Sequence, residues 1–182
     1  MGPPVRWRKK LSQKIVVKLT KYYCEKKCDE LIVPTKKIKE LFINKYNIRK
    51  KINVIPTGID INKFIETPSI KSEKEKIKQQ YNIKDSDYII GAVGRIASEK
   101  SFDKLLNNAK ILIENNPKIK IMLVGGGPEL NNLKKLAHEL KIDKNVIFTG
   151  LVNYDLVPTY FNIFDIAVSF STTETQGLTI IE

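Results

Sequence analysis

The chain has 182 residues, 42% of them hydrophobic, which is enough to bury one full core and leaves room for a second, partial lobe. No apolar run approaches the roughly 20 residues of a transmembrane helix, and lysines interrupt every apolar stretch near the start, which argues against a signal peptide. Two cysteines, Cys24 and Cys28, give no disulfide framework and fit a reducing compartment, so the cytoplasm is the expected location.

The excess positive charge lies in the first quarter of the chain. Residues 1–51 hold 16 of the 32 Lys and Arg residues but only 4 of the 20 Asp and Glu residues, so they account for the whole net charge of +12. Coding bias in an AT-rich genome would spread lysine evenly, and the neutral remainder argues against it. A basic segment favours an anionic partner, either membrane lipid or nucleic acid.

The first elements are predicted to alternate between helix and strand. From Trp7 to Tyr23, apolar residues at i, i+4 spacing form one helical stripe beside lysines and arginines. A strand is expected within 29–35, a helix over Lys36–Tyr46 and a second strand within 52–60. The stripe has two interpretations: it lies on an anionic membrane surface, or it packs into the core of a domain.

The same alternation continues after residues 65–72, a polar stretch that we predict to be a linker. The expected helices are Glu73–Tyr81, Phe102–Asn115, Leu130–Leu140, a short one near Pro158–Phe161 and one that starts within 175–182. The expected strands are 88–93, 120–124, 146–149 and 165–171. Short strands alternating with helices are typical of a Rossmann-like, doubly wound α/β fold with a parallel sheet.

Three loops follow strands in this pattern, at the edge of the sheet where ligands bind in such folds. In AVGRIASEK (92–100), Gly94 gives access to the backbone, and Arg95 and Lys100 follow it. An arginine and a lysine beside helix N-terminal amides suit a diphosphate. The alternative is that both cations are solvated surface residues.

The other two loops are VGGGPE (124–129) and STTETQGLTIIE (171–182). The three glycines permit close backbone approach, although a tight turn explains them almost as well, and the lack of G-x-G-x-x-G spacing argues against NAD. In the last loop, Glu174 and Glu182 can accept hydrogen bonds from sugar and ribose hydroxyls. The free amides at Gly177 and Leu178 can meet a phosphate.

Together, the segments GRIASEK, VGGGPE, FTGLV (148–152) and ETQGLTIIE resemble family-4 glycosyltransferases of the GT-B fold. Glu174 and Glu182 match the E-x7-E motif of that family, and the similarity covers nearly the whole chain. The segments GPPVRWRKKLSQKIVVKLTKYYCEKKCDELIVPT and STTETQGLTIIE are similar to its diacylglycerol glucosyltransferase branch. The resemblance implies transfer of a hexose, glucose from UDP-glucose, to a lipid acceptor such as diacylglycerol, with retention and without a metal.

The resemblance also implies roles for individual residues. Arg95 and Lys100 hold the donor diphosphate and stabilise charge on the leaving group, Glu174 orients the sugar, and Glu182 binds the ribose. Val152 meets the base through its backbone. The backbone-approach positions are Gly94, Gly126, Gly177 and Leu178. The sequence departs from the family at Ser101, where glycine is usual, and at Gly126, where aspartate is frequent.

In this family an acceptor domain faces a donor domain, which implies a division of the chain. Residues 1–64 correspond to the tail end of the N-terminal acceptor domain, and 65–182 to a sugar-nucleotide-binding domain that is incomplete at its C-terminus. The chain therefore resembles an enzyme cut short at both ends, which by itself is expected not to transfer sugar. It is expected to lie at the inner face of the cell membrane, bound through the basic first helix.

Two other functions remain open from the sequence. In the first alternative, the chain is an inactive remnant that binds a sugar nucleotide without transferring the sugar. In the second, it is a basic nucleic-acid-binding protein in which Tyr22 and Tyr23 stack on bases. No RNA-binding signature accompanies the tyrosines, and the second function is the weaker.

Overall fold

The computed structural model of the chain describes residues 5–172 and 174–181, with side chains from Lys14 onward. Two compact units divide the chain, Met1–Gly58 and Ile59–Glu182. The sequence placed a boundary six residues later, after Phe64. The second unit begins earlier because residues Ile61–Phe64 form a short 3-10 helix held by α6 (Val157–Phe161) and its C-terminal end. The Phe64 and Phe161 rings lie 5.7 Å apart, and Asn162 Nδ2 donates a hydrogen bond to the Phe64 carbonyl at 3.0 Å.

The first unit alternates helix and strand, as predicted. It contains α1 (Val5–Lys26), β1 (Leu31–Val33), α2 (Lys36–Asn44) and β2 (Ile52–Val54), and the two strands pair in parallel. The strands have three residues each, and both lie within the predicted ranges 29–35 and 52–60. The helix α2 begins where the Thr35 hydroxyl accepts a hydrogen bond from the Ile38 amide at 3.3 Å, a typical N-cap. The core of this unit consists of Cys24, Val33, Ile48 and Ile52.

The second unit has a four-stranded, all-parallel sheet with strand order β5-β4-β3-β6. Its strands are β3 (Tyr88–Val93), β4 (Ile119–Val124), β5 (Val146–Gly150) and β6 (Ile166–Ala167). Its helices, besides α6, are α3 (Pro68–Gln80), α4 (Phe102–Asn115), α5 (Leu130–Glu139) and α7 (Leu178–Ile181). The predicted doubly wound α/β fold is therefore confirmed.

Successive residues of the central strands point to opposite faces, and each face has its own core. In β4, Ile121 and Leu123 belong to the cluster with α4 and α5. Met122 and Val124 belong to the cluster with α3 and α6. Both faces of the sheet are thus covered by helices, which explains why the sequences of these strands are apolar without alternation.

Two predicted elements have different bounds in the structure. Residues 65–72 were predicted to be a linker, but α3 already begins at Pro68 because Thr67 caps it and proline suits the first helical turn. The strand predicted over 165–171 pairs with β3 only at Ile166 and Ala167. After Val168 the chain leaves the sheet, and its backbone is next bonded to the loop that follows β3.

Among the described residues, no helix has both the length and the apolar character needed to cross a membrane.

Candidate donor-binding site

The strand order places a topological switch point beside β3. The chain moves from β3 to β4 and β5 on one side, then returns to β6 on the other side of β3. In open parallel sheets, a crevice forms at such a point beyond the carboxyl ends of the strands, and ligands bind there. The loops after β3 and β6 flank this crevice, and they are the loops that carry Arg95, Lys100 and Glu174.

The structure brings Lys100 and Glu174 together, although 73 residues separate them in the sequence. Lys100 Nζ lies 2.6 Å from Glu174 Oε1, and the two side chains are only 22% and 29% exposed. The hydrogen bond from Lys100 is the largest cause that lowers the pKa of Glu174 below its ordinary value, and Ser171 adds a second bond. Glu174 is therefore held as a carboxylate with one oxygen engaged by Lys100.

The position of Arg95 differs from that of Lys100. It lies in the same loop, directly after Gly94, and its side chain is exposed. Among residues 5–172 and 174–181, no carboxylate lies within ion-pair distance of its guanidinium. Arg95 thus presents a guanidinium to solvent from the loop that positions Lys100.

The loop after β6 is tied to the loop after β3 by backbone as well as side-chain contacts. The carbonyl of Glu99 accepts hydrogen bonds from the Thr172 amide at 3.0 Å, the Thr172 hydroxyl at 3.2 Å and the Ser171 hydroxyl at 3.4 Å. Ser171 and Thr172 were not among the site residues predicted from the sequence. The available signal was the run of hydroxyl side chains directly before Glu174.

The glycine-rich loop after β4 packs against the same β3 loop. A Cβ at Gly125, where φ is +134°, would lie 2.1 Å from the Gly94 carbonyl oxygen, and a Cβ at Gly127 would lie 2.1 Å from the Ile96 carbonyl oxygen. The Ile96 amide also donates to the Gly126 carbonyl at 2.9 Å. Gly125 and Gly127 are therefore required for the two loops to meet, a role that was not predicted from the sequence.

Three backbone positions predicted for the ligand lie in these loops. Gly94 has a φ of +150° and is the first residue of the loop after β3. Its amide donates a hydrogen bond to the carbonyl of Val124, the last residue of β4, at 2.9 Å. Gly126 is buried, and a Cβ there would meet the Leu151 side chain at 2.8 Å. Gly177 is buried, has a φ of +70° and directly precedes α7, which starts at Leu178.

The remaining predicted site residues are Val152 and Glu182. Val152 follows β5 and packs against the core cluster on the α3 side of the sheet. Glu182 lies outside the described residues. The predicted contacts of both with base and ribose stay predictions.

Ser101, one of the two departures from the family pattern, has a left-handed backbone conformation. Its φ and ψ are 50° and 40°, and its side chain is buried between the short helix Ser98–Lys100 and α4. Glycine adopts this conformation without steric cost, which accounts for the glycine that the family usually has there.

No group of three or more His, Cys, Asp and Glu side chains in the described part of the chain has the geometry to hold a metal ion. The expectation that transfer requires no metal stays a prediction.

The sequence is similar to known glycosyltransferases over most of its length. The family model for glycosyl transferases group 1 matches residues 73–182. The alpha-monoglucosyldiacylglycerol synthase of Streptococcus pneumoniae is 36% identical over 155 residues, which are 85% of this chain and 35% of that protein. The synthase of the same name from Acholeplasma laidlawii is 30% identical, over 97% of this chain and 44% of that protein.

Solved structures share the fold at lower identity. The Anabaena protein HepE, solved in complex with UDP and glucose, superposes with a TM-score of 0.78 at 21% identity, over 92% of this chain and 45% of that one. A sucrose-phosphate synthase from Thermosynechococcus elongatus gives a TM-score of 0.74 at 21% identity, over 92% and 41%. The chain spans 35–44% of the length of the two synthases above. These matches, together with the parallel sheet and its loops, show that the chain belongs to the glycosyl transferases group 1 family and has the α/β fold of GT-B glycosyltransferases.

Proposed function

We propose that the second unit binds a nucleoside diphosphate sugar, with UDP-glucose as the donor, and that it is the donor-binding part of a retaining hexosyltransferase. The Lys100–Glu174 pair at the switch point, with Arg95 on the same loop, is the observation that carries the proposal. It puts cationic groups for a diphosphate beside a carboxylate for sugar hydroxyls. The HepE complex with UDP and glucose, in a protein of the same fold, supports the choice of donor.

The ion pair leaves Lys100 able to bind phosphate. An ammonium group has three N–H donors, and Glu174 Oε1 accepts one of them. The other donors and the guanidinium of Arg95 are available for the diphosphate oxygens. Since charge develops on the leaving diphosphate as the glycosidic bond breaks, these two cations would stabilise the transition state more than the bound donor.

Glu174 would act on the sugar rather than on the phosphates. Its lowered pKa keeps it ionised near neutral pH, and an ionised carboxylate accepts hydrogen bonds from hydroxyl groups. Lys100 fixes one of its oxygens, so the other oxygen is held in a defined direction. This arrangement would orient the hexose next to the bond that breaks, for attack by the acceptor hydroxyl on the face from which the diphosphate leaves.

We further propose that the acceptor is a membrane lipid such as diacylglycerol. Two of the relatives are named as synthases of a glucosyldiacylglycerol. In the first unit, Ile15, Leu19 and Tyr22 follow one another along one side of α1, and each is 51% exposed. Exposed lysines accompany them at Lys14 and Lys18. This pattern of apolar and basic side chains suits an anionic lipid surface, where each lysine contributes about 1 kcal/mol.

Calorimetric titration with UDP-glucose tests the donor site. Lys100→Ala removes a charged hydrogen-bond donor worth about 1.5–3 kcal/mol, so we expect the dissociation constant to rise roughly tenfold or more. Arg95→Ala should have an effect of similar size.

Lys110→Ala is the matched control, since this α4 lysine is paired with Glu114 away from the switch point. It should bind UDP-glucose as the wild type does. A wild-type chain that binds no nucleoside diphosphate sugar, or equal losses in all three variants, would refute the donor site.

A further inference from the structure

The loops of the second unit are arranged along one edge of the sheet in the order that the parts of a sugar nucleotide would need. Across the sheet, the loop with Glu174 follows β6, the Arg95–Lys100 loop follows β3, the glycine loop follows β4 and Leu151 follows β5. Neighbouring strands lie about 4.8 Å apart, so about 14 Å separate β6 from β5. A sugar nucleotide is itself linear, with the sugar at one end, the diphosphate in the middle and the base at the other end.

Leu151 stands at the end of this row that would receive the base. Its side chain is 88% exposed, although it directly follows Gly150, the last residue of a sheet strand. It lies against Gly126, where a Cβ would come within 2.8 Å of the Leu151 Cγ atom. The glycine therefore makes room for the leucine, and the leucine presents its remaining surface to solvent on the rim.

We propose that the Leu151 side chain is an apolar support for the nucleobase of the donor, an inference that rests on the proposed donor site. The flat face of a base is its least polar surface, and it gains by covering an exposed aliphatic side chain. The charged groups of the rim, Lys100 and Glu174, lie at the β3 and β6 end, and Leu151 lies at the β5 end. The support thus adds a side-chain contact to the backbone contact expected at Val152.

The test compares two probes on purified chain: UDP, which has a base, and inorganic pyrophosphate, which has none. Leu151→Ala should weaken UDP binding about fivefold, because it removes most of the aliphatic surface, and leave pyrophosphate binding unchanged. Leu151→Met, which keeps a long apolar side chain, should bind UDP within about twofold of the wild type. Ile111→Ala is the matched control, since Ile111 is an exposed aliphatic residue on α4, and it should bind both probes normally.

Two results would overturn the inference while leaving the donor site intact: wild-type affinity for UDP in Leu151→Ala, or an equal loss of UDP and pyrophosphate affinity. A wild-type chain that binds neither UDP nor any other nucleoside diphosphate would overturn the donor site and, with it, the role of Leu151.

Discussion

The ion pair between Lys100 and Glu174 joins the loop after β3 to the loop after β6, and it forms only while Glu174 is ionised. Because the pKa of Glu174 is lowered in the folded chain, its contribution to stability is present above the ordinary value of 4.5 and is lost as the pH falls through the lowered value. The pair is partly exposed, so its contribution is at most about 1 kcal/mol.

We therefore expect Glu174→Gln to lower the melting temperature at pH 7 by about 2–4 °C or less. The difference between variant and wild type should shrink as the pH falls below 4.5, because the wild-type carboxylate then becomes protonated. Thermal melts followed by circular dichroism between pH 7 and pH 3.5 measure it. A difference that does not change with pH would mean that the ion pair does not stabilise the fold.

Gly125 is one of two glycines, with Gly127, at which the packing of the two loops leaves no room for a Cβ. Gly125→Ala would force a Cβ against the Gly94 carbonyl oxygen at a φ of +134°, and we expect a loss of about 3 kcal/mol in the free energy of unfolding. The adjacent Gly126→Ala is the control, since its Cβ would meet the exposed Leu151 side chain, which can move. Urea titration measures both, and equal losses would contradict the role of Gly125.

Single residues were predictable from the sequence to different degrees. Arg95, Lys100 and Glu174 stand next to strand ends, and the carboxyl ends of parallel strands share one edge, so the sequence predicts that the loops carrying them lie near one another. The roles of Gly125 and Gly127 were not predictable, because the carbonyl groups they approach belong to a loop about 30 residues away. Spacing within one loop contains no information about that partner.

At the scale of elements, apolar periodicity predicted the helices and strands, and the errors lie at their ends. Helix α3 was predicted to begin at Glu73, but it begins at Pro68, after the N-cap residue Thr67. The polar composition of residues 65–72 was interpreted as a linker, so this N-cap was not recognised. Strand β6 was predicted to be longer because four of the seven residues in DIAVSFS are apolar. Its pairing stops at Ala167 because the chain turns towards the Glu99 carbonyl, a tertiary contact that periodicity does not report.

Helix α1 is the element whose proposed role concerns a membrane. We expect the chain to sediment with phosphatidylglycerol vesicles at low salt and to be released as salt is raised, because lysine contacts with anionic lipid are screened. Replacing Ile15 and Leu19 by serine should weaken binding severalfold, since both side chains are exposed on α1. Ile111→Ser, on α4, is the control. Binding that is unchanged by the α1 replacements would remove this helix from the membrane contact.

At the scale of the whole molecule, the strand order of the second unit creates the edge where we propose that the donor binds. The return of the chain from β5 to β6 places a loop rich in hydroxyl and carboxylate groups beside a loop with two cations. The sequence was sufficient to predict this doubly wound fold, because strands alternating with helices leave few other arrangements. The exact division of the chain after Gly58 depends on the contacts of Phe64 with α6, which no local pattern indicates.

Hydrogen–deuterium exchange with and without saturating UDP-glucose is the most direct measurement of donor binding at this edge. We predict slower exchange in three separate segments, 94–100, 125–129 and 171–178, with residues 5–58 unchanged. Exchange that is unaffected by the donor in these segments, or slowed only in 5–58, would contradict the proposal that the loops after β3, β4 and β6 form one donor site.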